Sequence, residues 1–213
     1  MPESHYNRSD GLEEFMASRL AQIQAAYLRP NSSQGAAWLA SLRKASREPG
    51  ASPETWLIEF EGFPENLIGK TDEPSRAERA AHLAFTLYAV HQQSQNEPMH
   101  KRGREYGIGR SVARLDFNQR KESDSTPRGK LPTRFAALGT ASSFDEVSHY
   151  ARQLVTQLRG ASIPVDYAKL AVQLYRIQNP ATADSVRLQW GRDFAGATLV
   201  ASNTPTDSSQ KDE

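Results

Sequence analysis

The chain contains no cysteine. Disulfides and thiolate metal sites are therefore excluded, and the absence fits a cytoplasmic protein. No apolar run approaches the roughly 20 residues needed to span a bilayer, and the polar opening segment does not read as a signal peptide. β-Branched residues are sparse, and no segment reads as a strand. Net charge is almost missing as well: 26 Lys and Arg against 25 Asp and Glu leave +1. Any argument for nucleic acid must therefore rest on local patches. The histidines (His5, His82, His91, His100 and His149) have no partner at metal-ligand spacing, and H-E-x-x-H is absent. Asp72, Asp116 and Asp124 form no nuclease-like pair. This reading assigns no catalytic residue, no metal and no cofactor.

What is abundant favours helix: Ala, Leu, Gln, Arg and Glu. Leu12, Phe15, Met16, Leu20, Ile23 and Tyr27 mark an amphipathic helix, with Ser9 or Asp10 expected as its cap and Pro30 as its stop. A second helix follows Ser33 and runs to about Arg47, with Trp38, Leu39 and Leu42 inward. Ser52-Pro53 supplies a cap and a first-turn proline for a short helix. A long alanine-rich helix spans about residues 74–95 and is apolar around most of its girth, which marks it as central and buried. Ser143 and Glu146 form a capping box, Ile163 to Asp166 a turn, and Asn179-Pro180 another helix start. The last helix carries Val186, Leu188, Trp190 and Phe194. Trp38, Trp56 and Trp190 all lie on apolar stripes, so core packing is expected of each.

The sum is an all-α protein with two helical sub-bundles, about eight or nine helices in total. The expected division is an N-terminal bundle at 10–118, an exposed insertion or linker at 119–131, and a C-terminal bundle at 132–201. Residues 1–9 and 202–213 read as disordered tails.

The segment from Pro98 to Lys121 concentrates the positive charge. It carries Lys101, Arg102, Arg104, Arg110, Arg114, Arg120 and Lys121 against only Glu105 and Asp116. Its first half has three glycines between residues 100 and 109 and no apolar period, which reads as a flexible loop. Its second half has helical spacing, with Ile108, Val112 and Leu115 on one face and Arg110 and Arg114 on the other. Two arginines at that spacing repel each other unless an anion lies over them. Arg43 and Arg47, with Lys44 alongside, repeat the arrangement on the second helix. A solvated charge run explains the same pattern without any partner. The glycine-rich Gly107 to Ser111 lacks the strand and lysine of a phosphate loop.

The runs Gly107 to Leu115, Arg134-Phe135, Ile163 to Tyr167 and Val186 to Phe194, in this order, resemble CasB, the small subunit of the type I-E CRISPR Cascade complex. Leu42 to Ala45 and Leu87 to His91 fit as well, so the resemblance covers about residues 10–198. The segment 119–130 and the polar C-terminal tail depart from it. The resemblance implies a two-bundle helical protein without an active site. Its implied partners are the Cascade backbone subunits, the large PAM-reading subunit, the guide RNA and target DNA, and a second copy of itself. Its implied role is to hold the guide–target heteroduplex and the displaced strand in antiviral defence. Sequence is then read by base pairing, and the protein need supply only charge. The candidate nucleic-acid-binding residues are Arg43, Lys44, Arg47, Lys101, Arg102, Arg104, Arg110, Arg114 and Arg134; the last falls on a matching family position. Arg187 and Arg192 read as structural. A pure protein–protein assembly adaptor is the alternative reading. A helix-turn-helix DNA reader is disfavoured by the glycine-rich entry.

Overall fold

A computed structural model describes residues 5–46, 52–122 and 130–202. Nine α-helices are present among them: α1 (His5–Leu28), α2 (Ser33–Ala45), α3 (Pro53–Phe60), α4 (Arg76–Gln92), α5 (Ile108–Glu122), α6 (Lys130–Thr140), α7 (Phe144–Gly160), α8 (Tyr167–Ile177) and α9 (Pro180–Ser202). The described residues contain no strand, only one isolated parallel bridge between His100 and Val165. The fold is all-α. Residues 1–4, 47–51 with the candidate Arg47, 123–129 and 203–213 lie outside the described residues.

Short polar side chains start the helices, and Ser52 stands where the sequence places a cap. Ser32 accepts from Gly35 N–H, Ser52 from Thr55 N–H, and Asp166 from Lys169 N–H. Each satisfies one backbone donor that a helix N-terminus leaves open. Ser143 Oγ accepts from Glu146 N–H at 3.2 Å, but Glu146 reaches past its cap to Ser142 N–H at 2.7 Å. A complete capping box stands instead at Ser75 and Glu78, opening α4. At the N-terminus α1 begins at His5, ahead of the expected caps Ser9 and Asp10. Residues 5–8 contain neither Pro nor Gly, and an existing helix extends at little cost.

One apolar core runs from Leu12 to Trp190. At its centre α4 buries Ala77, Ala80, Ala81 and Ala84, whose small side chains let neighbours approach closely. α8 packs on α1 and α4, α5 packs mainly on α9, and α7 joins α4 to α6. The packing therefore cuts across chain order. α8 belongs with the N-terminal helices, while α5 sits with α6, α7 and α9. The segment 119–131 is a break in composition, and the core is continuous on both sides of it; α5 itself continues to Glu122.

Of the three tryptophans, Trp190 is fully buried and its Nε1 donates to Gln173 at 2.8 Å. Trp38 is half-buried against the core. Trp56 departs from expectation: it is 52% exposed, as are Leu57 at 56% and Leu188 at 52%. Helical spacing groups residues onto a face but does not say which face meets the core.

Candidate nucleic-acid interface

The basic segment begins in a loop that is held at nearly every residue. Val165 N–H donates to Met99 O at 3.0 Å, and Lys101 N–H donates back to Val165 O at 3.3 Å. Gln24 of α1 clamps the backbone of His100 from both sides, accepting its N–H at 2.9 Å and donating to its carbonyl at 3.1 Å. Asp166 does three things at once. One carboxylate oxygen caps α8, the other accepts Gly103 N–H at 3.1 Å, and its own N–H donates to Tyr106 O at 2.7 Å. Gly103 has φ +137°, which a side chain would strain. The expected flexible loop is thus a fixed platform, tied to α1 and to the start of α8.

Beneath it lies a buried aromatic cluster. Tyr167 N–H donates to His100 Nδ1 at 3.2 Å, so that nitrogen carries no proton and the ring is neutral. Burial lowers the His100 pKa, against the pull of Asp166. His91 Nδ1 lies 2.8 Å from the Tyr167 hydroxyl, and burial pushes its pKa down to about 4. These histidines serve packing and hydrogen bonding. Among the described residues no group of three or more His, Cys, Asp or Glu could hold a metal ion, and no helix is long and apolar enough to cross a membrane.

On this platform Lys101, Arg102 and Arg104 are exposed side by side. Arg102 lies 3.5 Å from Glu13 of α1, with both groups well solvated, so the pair holds little of its charge back. The two arginines of α5 diverge instead of stacking. Arg110 turns inward along α9, where its Nε lies 3.5 Å from Asp193 Oδ1 and its side chain is 22% exposed. Arg114 reaches back and donates to Glu105 O at 3.2 Å. Their mutual repulsion is relieved within the fold. Arg120 pairs with Asp116 one turn before it. Gly109 lets α5 approach α9, since a Cβ there would lie 2.5 Å from Trp190 O.

The other candidates stand elsewhere. Lys44 is exposed and Arg43 half-buried in the last turn of α2, a favourable place for cations whatever they bind. α2 packs on α1, α3 and α4, whereas Arg134 is half-buried on α6 beside α5, α7 and α9. The eight described candidates do not form one cluster: Lys101, Arg102 and Arg104 do, and Arg114 adjoins them through Glu105.

Sequence reasoning missed several cations. Arg152 of α7 donates to Ser46 Oγ at 2.8 Å and Ser46 O at 3.3 Å, satisfying the C-terminus of α2. A groove of about 860 Å³ is lined by Lys70, Arg76, Arg79 and Arg176. Glu13, which pairs with Arg102, lines it too, so the groove borders the 101–104 platform. Arg76 and Arg79 share the start of α4 and Lys70 lies in the loop before it, whereas Arg176 comes from α8, and no local pattern in the sequence joins it to them. By contrast Arg187, which already reads as structural from the sequence, donates to Ala141 O at 2.9 Å, tying α9 to the α6–α7 turn.

The family model for CRISPR-associated protein Cse2 matches residues 38–194. CasB from Thermobifida fusca is similar at 32% identity with a TM-score of 0.70, over 86% of this chain and 97% of that one. M. ruber CasB (20% identity, TM-score 0.60, 90% and 96% covered) and Thermus thermophilus CasB (22%, 0.59, 87% and 98%) share the fold. No curated protein matches the chain. The chain belongs to the CRISPR-associated protein Cse2 family.

Proposed function

We propose that the protein is the non-catalytic small subunit of a type I-E Cascade complex, working in the cytoplasm beside the backbone and large subunits and a second copy of itself. It binds nucleic-acid backbone without sequence preference and stabilises the R-loop formed by guide RNA and target DNA. The observation that carries this reading is the platform. Lys101, Arg102 and Arg104 project from a loop fixed by Gln24, Val165 and Asp166. A pre-organised loop spends less of its binding energy on ordering itself, and arginine forks match phosphate oxygens. The bordering groove extends the cationic track. R-loop exchange is nearly balanced, so modest backbone contacts suffice to tip it. R-loop yield from reconstituted complex should fall with Lys101→Glu/Arg104→Glu. An unchanged yield removes the platform from the role.

The assembly-adaptor reading has one observation in its favour. Arg110 already faces Asp193, and Arg102 faces Glu13, so these cations accept carboxylate partners. Under that reading charge reversal impairs assembly and leaves binding of free nucleic acid intact.

A further inference from the structure

α3 is inverted. Its inward face carries Thr55 and Glu59, 3% and 1% exposed, together with Ile58. Its outward face carries Trp56 and Leu57, both more than half exposed. The polar inward face is stabilised by a specific partner: His82 Nδ1 of α4 lies 2.8 Å from Glu59 Oε2. Arg19 of α1 fixes the other end, donating to Ile58 O and Leu57 O at 2.8 Å each and pairing with Glu61 at 3.0 Å. Rotating the helix to bury Trp56 would break both arrangements and strand Glu59 in solvent-excluded packing. The orientation is therefore built in. Phe60 forms the floor beneath the exposed pair, with its ring 5.9 Å from Trp56 and 5.2 Å from Phe63.

The charge that α3 and its flanking residues bring to this face has one sign, and Arg19 of α1, only 12% exposed, is engaged by Glu61 and the backbone carbonyls. Residues 53–66 contain Glu54, Glu59, Glu61 and Glu65 and no Lys, Arg or His. Glu54 and Glu61, three before and four after Leu57, border it on the helix surface. Glu61 stays 70% exposed despite its pairing with Arg19. Trp56 offers an aromatic surface that could stack a base, but phosphates beside it would meet carboxylates. We propose that α3 docks a protein partner within the complex, one presenting an apolar pocket for Trp56 and Leu57 rimmed by lysine or arginine. An exposed aromatic on a rigid helix costs little entropy to bury and is the usual kind of interface anchor. The molecule thus carries two surfaces of opposite chemistry: the cationic platform for phosphate, and α3 for a basic protein surface. The second does not depend on the first.

The test uses the complex assembled without this chain as the probe and follows incorporation of the full-length protein by native mass spectrometry. Trp56→Ser/Leu57→Ser should weaken incorporation about tenfold or more, while free-chain binding to single-stranded DNA is unchanged. Glu54→Lys/Glu65→Lys, which leaves the packing untouched, should also weaken incorporation and make it less salt-sensitive. Equal incorporation of both variants overturns the proposal. Loss with the apolar variant alone overturns the basic character of the partner. Weaker DNA binding by the α3 variants assigns the face to nucleic acid and overturns it as well. A wild-type chain that is dimeric by light scattering and monomeric as Trp56→Ser/Leu57→Ser makes the occupant a second copy, and again overturns it.

Discussion

Asp166 accepts Gly103 N–H at 3.1 Å across 63 residues of chain. Through this bond the start of α8 sets the shape of the cationic loop. Asp166→Ala removes that acceptor and the α8 cap together. The expected cost is about 2 kcal/mol, mostly from the cap and the stranded donor, read by urea denaturation. DNA binding should weaken although no cation has been removed. Unchanged binding would show that the loop holds its shape without Asp166.

Arg104 and Arg110 should separate in their effects. Arg104 is exposed, so Arg104→Glu should change stability by less than about 0.5 kcal/mol while lowering affinity for DNA. Arg110→Glu places a carboxylate beside Asp193, 3.5 Å from the present guanidinium nitrogen. It should destabilise the α5–α9 contact by about 1–2 kcal/mol. Thermal melts of the two variants check this, and equal melting temperatures would contradict it.

His91 makes stability sensitive to acid. Its folded pKa, about 4, lies below the ordinary histidine value because burial disfavours the cation. The unfolded chain therefore binds the proton first. The His91 contribution is fully present above about pH 6.5 and is lost as pH falls toward 4, with a limit of roughly 3 kcal/mol. The difference in stability between wild type and His91→Gln should shrink over that window. A difference independent of pH would mean that His91 titrates alike in both states.

Gly109→Ala tests how closely α5 lies on α9. The added Cβ would sit 2.5 Å from Trp190 O, a backbone atom that cannot step aside. A loss of about 2 kcal/mol is expected from such overpacking, measured by chemical denaturation. A neutral substitution would show that the two helices can separate without cost.

What the sequence shows on its own depends on the range of the interaction. Ser52 and Ser143 are legible as caps because each bonds a backbone N–H three residues on. The apolar spacing of α7 places Val147, Ala151, Leu154 and Leu158 in the core, where they are. The platform reads as flexible because its anchors Gln24 and Asp166 lie 76 and 63 residues away. Trp56 reads as core because the chain has no local record of the Glu59–His82 pair that turns it outward. The groove arginines escape notice for the same reason: Arg76 and Arg176 meet only where α8 ends against the start of α4, as the bond from Gln178 to Arg76 O at 2.9 Å shows.

The central claim, sequence-independent binding of nucleic-acid backbone, is tested most directly by a salt series of fluorescence anisotropy. The purified chain is titrated onto single-stranded DNA, duplex DNA and RNA, then repeated with Lys101→Glu/Arg104→Glu. If about four phosphates are neutralised, log K against log salt should slope near −3 to −4, flattening in the variant. A slope near zero for the wild type, or one that the variant leaves unchanged, would contradict the account.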